Sequence, residues 1–246
     1  HISVSVVHPL MLDEGWTFET DFDGATGDDV LRKTRLFEVY LQSDPKSTGR
    51  VTVPVLWDRQ VGTIVSNESS EIIRMFNSAF DQLTGNDLDF WPMAMREDIE
   101  EINNDIYQNV NNGVYRSGFA TRADAYEQVV HQLFAALDRL ELRLSSNRYL
   151  LDDRLTEADW RLFTTLIRFD AVYVGHFKCN IRRIVDYPAL SGYMRELYQM
   201  SGIADTVNMK HIKYHYYASH LNINPTGIVP AGPEQDFSAA HGRDHL

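Results

Sequence analysis

Two long stripes of apolar residues constrain this chain more than any other feature. Met95, Ile99, Ile102, Ile106 and Val110 recur at spacings of three and four, and so do Tyr126, Val130, Leu133, Leu137, Leu140 and Leu144. That period puts each set on one face of a helix, and an apolar helix face must be covered by a neighbour. From Arg96 onward the chain is therefore expected to be helical, with both stripes in the core. Thr121-Arg122-Ala123-Asp124 and Thr156-Glu157-Ala158-Asp159 fit the capping signature in which an acid three residues on accepts the amide of the capping threonine, whose hydroxyl accepts the acid's own amide. Leu155 and Trp160 stand where a hydrophobic staple would clamp the second of these entries. Asp159 is accordingly read as a structural cap. Further helices are predicted at about Ala189–Ser201, ended by Gly202, and at about Asp205–Ser219. The remainder, from Asn222 to Leu246, carries Pro225, Pro230 and Pro233 and is expected to be irregular, laid over the surface.

The first eighty-odd residues mix helical and alternating periods. Ile2, Val4 and Val6 alternate with Ser3 and Ser5, which predicts a strand over Ile2–Val7 ended by His8-Pro9. A loop with Gly15-Trp16-Thr17-Phe18 follows, then a predicted helix from about Val30 to Leu41. Val51–Trp57 and Val61–Val65 read as the two strands of a hairpin. Proline cannot donate to a ladder, so Pro54 must sit at the strand entrance or take a special conformation such as a cis bond. A helix from Ser70 to Leu83 is expected to bury Ile72, Ile73, Met75, Phe76, Ala79 and Phe80. The order implies two domains, α/β over residues 1–85 and all-α over residues 93–246, with the boundary between Thr84 and Pro92.

Composition removes several function classes. With Lys+Arg 23 against Asp+Glu 35 the net charge is −12, and no basic run reverses it locally, so nucleic acid is not an expected partner. No apolar stretch reaches the ~18 residues of a membrane helix, and the start shows neither a basic leader region nor a small-residue cleavage site. A soluble, cytoplasmic protein is expected. Cys179 is the single cysteine, which excludes an intrachain disulfide and a Cys-rich metal site. The chain opens on His1, directly on the alternating segment, and a preceding segment is expected to have been removed.

Val53-Pro54-Val55, followed by Glu68-Ser69 at a predicted helix start, is the first constellation with chemical content. Extended backbone held before a fixed proline can pair with a peptide-like ligand as an added strand does. A helix start attracts a carboxylate, and the Glu side chain can take up an ammonium. Together these suit the γ-glutamyl end of glutathione. The same residues fit a strand-entry proline and an ordinary cap. His211 and His215, four apart with His220 nearby, could bring two imidazoles to one metal, but no acid lies between them and Tyr214, Tyr216 and Tyr217 make a packed polar network equally natural. No metal site is expected. Glu97-Asp98 and Glu100-Glu101 read as a solvated helix face.

Several strings carry a family resemblance. They are Val4-Ser5-Val6-Val7-His8-Pro9, Gly15-Trp16-Thr17-Phe18, Val53-Pro54-Val55-Leu56-Trp57-Asp58, Asn112-Gly113-Val114-Tyr115 with Gly118-Phe119-Ala120-Thr121, and His176-Phe177-Lys178-Cys179-Asn180. The longest runs from His211-Ile212-Lys213 through His215-Tyr216-Tyr217 to Ile223-Asn224-Pro225-Thr226. These resemble the glutathionyl-hydroquinone reductases, the xi class of glutathione transferases, from the first residues to about Pro233. The resemblance implies a thioredoxin-like glutathione-binding domain, incomplete at its front, followed by an all-helical substrate domain. It implies an enzyme whose cysteine attacks the sulfur of a glutathionyl-hydroquinone, releases the hydroquinone as a mixed disulfide forms, and is regenerated by a second glutathione. Trp16, Val53, Pro54, Glu68 and Ser69 would hold glutathione, the co-substrate. Tyr115 and Tyr216 would face the ring of the hydroquinone conjugate, where a phenol can bind or protonate the leaving oxygen. A homodimer is implied as well.

The family's nucleophile lies in a Cys-Pro-Trp segment ahead of the strand matched by Ile2–Val7, and this sequence has no such segment. Cys179 is not expected to replace it, since a lone cysteine in a helical domain is commonly a small buried apolar residue. In a thioredoxin-like sheet the first strand lies between the second and third, so without it the Ile2–Val7 strand has no partner. The 246-residue chain is therefore expected to bind glutathione weakly and to lack the reductase activity. A non-catalytic glutathione transferase-like binding protein is the alternative.

Overall fold

The computed structural model describes residues 2–246. Its helices and strands are, in order, α1 (Leu36–Ser43), β1 (Leu56–Asp58), β2 (Thr63–Ser66), α2 (Ser69–Ser78), α3 (Asp81–Thr84), α4 (Arg96–Ile106), α5 (Asn112–Gly118), α6 (Ala123–Leu144), α7 (Glu157–Arg168), α8 (Pro188–Gln199) and α9 (Met209–Ser219). Contacts divide the chain into two units, 1–87 with 208–220, and 88–207 with 221–246.

In the first unit the hairpin forms because its turn is satisfied locally. Asp58 Oδ1 accepts the amides of Gln60 at 2.7 Å and Val61 at 2.9 Å, and Gly62, at φ +73, donates to the Asp58 carbonyl. β1 and β2 pair antiparallel, Trp57 opposite Ile64, with an irregularity between Leu56 and Trp57. The hydroxyl of Ser43 accepts the Ile64 amide at 3.0 Å, tying the end of α1 to β2.

Three sequence expectations need correction here. The helix predicted from Val30 begins only at Leu36, because the Asp28 carboxylate takes the amides of Val30, Leu31 and Lys33 and Arg32 sits at φ +58. Ile2–Val7 belongs to no ladder. Val6 instead exchanges hydrogen bonds with Thr26, and among the described residues the hairpin strands pair only with each other. The predicted buried face of the 70–83 helix is largely open: Ile72 is buried, whereas Phe76 is 42% exposed, and the helix breaks between α2 and α3.

In the second unit both apolar stripes lie in the core, with Met95 and Tyr126 half-buried at their ends. A π-helical turn, Tyr107–Asn111, joins α4 to α5, and another, Phe169–Tyr173, follows α7. The capping box at Thr156 is formed: Asp159 Oδ2 accepts the Thr156 amide at 2.8 Å. At Thr121 it is not. α6 starts at Ala123 behind Arg122, and Asp124 accepts from the Arg122 guanidinium and from the first-turn amide of Ala125 rather than closing a box with Thr121. The Glu141 carboxylate accepts the amides of Ala189 and Leu190, fixing the start of α8, which runs from Pro188 and stops at Gln199, ahead of the expected end at Ser201. The helix predicted over Asp205–Ser219 is divided into a 3-10 turn, Ala204–Thr206, and α9, because Asn208 Oδ1 caps the His211 amide at 3.0 Å. After Ser219 the described chain has no helix or strand, yet it is anchored: Arg243 is only 4% exposed. No helix among the described residues is long and apolar enough to cross a membrane.

Candidate functional site

The residues expected at the glutathione end start from Thr52. The Tyr40 hydroxyl on α1 donates to the Thr52 carbonyl at 2.8 Å, and the Asn67 side-chain amide donates to Thr52 Oγ1 at 3.3 Å. These bonds hold the segment entering β1 beside the segment entering α2. Val53 follows Thr52, and Glu68-Ser69 follow Asn67; Val53 is 41% exposed, and Pro54, Glu68 and Ser69 are exposed too. The Val53-Pro54 peptide is cis, and the proline precedes β1 rather than interrupting it.

Glu68 is the N-cap of α2. Its carbonyl accepts the amides of Glu71 and Ile72, both at 3.0 Å, and its side chain makes no cap hydrogen bond. The helix offers no acceptor to the amides of Ser69 and Ser70, which stand at the positive end of its dipole. Glu71, the acid of the first turn, is engaged by the Ser66 hydroxyl at 2.7 Å. A helix start of this kind attracts a carboxylate, and an exposed glutamate beside it is able to take up an ammonium.

Trp16 lies in the same unit, its carbonyl accepting the Leu36 amide at 2.9 Å and its ring stacked on His215 of α9 at 4.7 Å. Tyr216 is buried, with its ring against His215 and His220. Only His211 points away: it packs on Phe22, where burial and then the neighbouring His8 push its pKa below the ordinary imidazole value, while His215 stacks on Trp16 and meets His220 edge-on at 5.6 Å. Among the described residues no cluster of three His, Cys, Asp or Glu could hold a metal.

Tyr115 is in the second unit, on α5, 40% exposed and backed by Tyr173 and Phe177, which stack at 5.5 Å. A glycine is required next to it in space: a Cβ on Gly118 would lie 2.2 Å from the Phe177 ring. Cys179 is at 0% exposure, its thiol near the carbonyls of Val114 and Phe177, and burial pushes it up to about 12. At neutral pH it is a thiol, and a thiol is not the nucleophile. The sequence carries no signal for the His215 stack on Trp16: it offers His215 as a metal ligand or as part of a packed polar network with its neighbouring tyrosines, and neither points to residue 16.

The family profile for the glutathione S-transferase C-terminal domain matches residues 123–196. The chain is 57% identical over 243 residues to the glutathionyl-hydroquinone reductase YqjG of Escherichia coli, spanning 99% of this chain and 74% of that protein. The chain belongs to the glutathionyl-hydroquinone reductases, the xi-class glutathione transferases. Within that family, PcpF of Sphingobium chlorophenolicum is 52% identical, spanning 95% of this chain and 74% of the relative. Among solved structures, the glutathione-bound YqjG superposes with a TM-score of 0.97 over 99% of this chain and 79% of that one. A xi-class transferase from Natrialba magadii gives a TM-score of 0.96 at 48% identity, over 100% and 75% of the two chains. The fold is thus that of the glutathione transferases, a small sheet with helices and a helical C-terminal domain.

Proposed function

We propose that this chain carries the glutathione and hydroquinone sites of a glutathionyl-hydroquinone reductase, with residues 1–85 as the glutathione-binding domain and 93–246 as the substrate domain. In the reaction a cysteine thiolate attacks the conjugate's sulfur, the bond from sulfur to the quinol ring breaks, and the ring carbon takes a proton. A second glutathione thiolate then attacks the mixed disulfide, so that oxidised glutathione leaves and the enzyme thiolate returns. Trp16, Val53, Pro54, Glu68 and Ser69 hold glutathione in this reading, and the exposed phenol of Tyr115 meets the ring, where it can bind or protonate an oxygen. The observation that carries it is the Asn67–Thr52 hydrogen bond, which sets exposed Val53 beside the open helix start at Glu68-Ser69.

Calorimetric titration of the 246-residue chain with glutathione tests this. Glu68→Gln and Ser69→Ala should each weaken binding by about tenfold, the value of one charge-assisted hydrogen bond. Unchanged affinity in both would remove the assignment. Since Cys179 is buried as a thiol, glutathionyl-hydroquinone should not be turned over by these residues alone. The family resemblance also supports a homodimer, and dependence on glutathione suits the cytoplasm, where that thiol keeps cysteines reduced. Light scattering should return about twice the 28.3 kDa chain mass; the single mass would sink the dimer.

A further inference from the structure

Trp16 sits at the foot of a tight turn, and its main chain and its ring are fixed by different elements. The turn is closed by the Gly15 amide on the Leu12 carbonyl at 2.9 Å, with Gly15 at φ +71, and the Trp16 carbonyl accepts the Leu36 amide at the start of α1. The ring is held from α9. His215 lies parallel to it, centroids 4.7 Å apart and planes at 24°, and is itself fixed through Nδ1 on the Pro9 carbonyl at 2.9 Å. A carbonyl only accepts, so Nδ1 carries the proton in this bond. One turn further on, the Ser219 hydroxyl accepts the Met11 amide at 2.9 Å and reaches the Pro9 carbonyl at 3.4 Å. α9 thus grips the loop ahead of Trp16 with two side chains and covers one face of the indole with one of them.

We infer that His215 is a positioning residue for glutathione: it stacks on one face of Trp16 and presents the other to the ligand. The inference rests on the reading of Trp16 as a glutathione-binding residue and adds a residue that reading does not include. A half-buried indole without a partner across its face would sample several rotamers, and the ligand would have to select one of them on binding. The imidazole removes that freedom in advance, anchored by its own hydrogen bond to Pro9.

The test is a double-mutant cycle between Trp16→Phe and His215→Ala, with His215→Phe as the conservative variant. It is read by calorimetric titration of the full chain with glutathione and by tryptophan emission. His215→Ala should weaken glutathione roughly tenfold, and His215→Phe, which keeps the stack and loses only the Pro9 bond, should stay within about threefold of the parent. In the Trp16→Phe background, His215→Ala should add little. Equal losses in the Ala and Phe variants, or full additivity with Trp16→Phe, would overturn the inference. If Trp16→Phe leaves affinity unchanged, the reading of Trp16 fails rather than the stack. The stack is judged separately by the emission of Trp16, taken as the difference from the Trp16→Phe chain. His215→Ala should shift that emission to the red and lower its anisotropy, and an unchanged difference spectrum overturns the positioning role whatever glutathione does.

Discussion

At the scale of single residues, the decisive group is the thiol of Cys179. A cysteine serves as nucleophile or metal ligand only as the thiolate, and the balance of effects around this one disfavours that charge. Its environment is apolar, two carbonyl oxygens face the sulfur, and burial raises its pKa from the ordinary value near 9.0 to about 12, against smaller opposing effects of Ser117 and Lys178. For an acid whose pKa is raised on folding, the contribution to stability is complete below the unfolded value and is lost as pH rises through the folded one. The native state therefore loses ground between pH 9 and 12, where the unfolded thiol ionises and the folded one does not. At pH 8 the native chain should resist iodoacetamide while the denatured chain incorporates one carboxamidomethyl group, read by intact mass. Rapid modification of the folded chain would show that Cys179 is open and ionisable.

Among elements, the start of α7 shows how one side chain organises its surroundings. The Asp159 carboxylate accepts the Thr156 amide and hydroxyl, the Leu150 amide at 2.9 Å and the Tyr193 hydroxyl of α8 at 2.7 Å. Burial raises its pKa, and those four donors oppose the rise. Asp159→Ala removes the shared acceptor and leaves buried donors unpaired, so we expect a loss of about 3 to 5 kcal/mol in urea unfolding. Thr156→Ala, which takes away only one capping hydroxyl, should cost about 1 kcal/mol. A loss below 1 kcal/mol for Asp159→Ala would mean that water reaches the site. This box could be read from Thr156-Glu157-Ala158-Asp159 because all its partners but Tyr193 and Leu150 lie within four residues. The same spacing at Thr121 misled, because Arg122 stands next to Asp124 and competes for it. The helical stripes were visible since burial of one face imposes a period, whereas the alternation of Ile2–Val7 reports side-chain direction only and says nothing of a partner strand. The residues proposed to hold glutathione emerged through their motif, and the Trp16–His215 stack did not, since contacts between residues this far apart in sequence leave no local pattern.

For the chain as a whole, the C-terminal segment is irregular and runs over the surface of the second unit, as expected, yet it sends one side chain, Arg243, into that unit's interior. Arg243 reaches Glu196 of α8 with Nε at 3.0 Å, and both side chains are 4% exposed. Its remaining nitrogens donate to the carbonyls of Leu144 at the end of α6, at 2.8 Å, and of Asn147 and Arg148 at 2.9 and 2.7 Å. The guanidinium thus closes the C-terminal end of α6, where carbonyls lack helical partners and the dipole favours a cation. Gly192 admits this approach, because a Cβ there would stand 2.6 Å from the His241 carbonyl. Removing the arginine would leave Glu196 with Arg148, at 2.7 Å and half open to solvent, and would strip three carbonyls of their donor. Breaking one side of a buried ion pair costs about 3 to 5 kcal/mol, so Arg243→Ala should lower the melting temperature by roughly 10 °C in a chain of this size. Arg243→Lys should recover only part of that loss, because one ammonium cannot span the Glu196 carboxylate and the α6 carbonyls together. A melting temperature within about 2 °C of the parent for Arg243→Ala, read by calorimetry, would place the C-terminal segment outside the stabilising core after all.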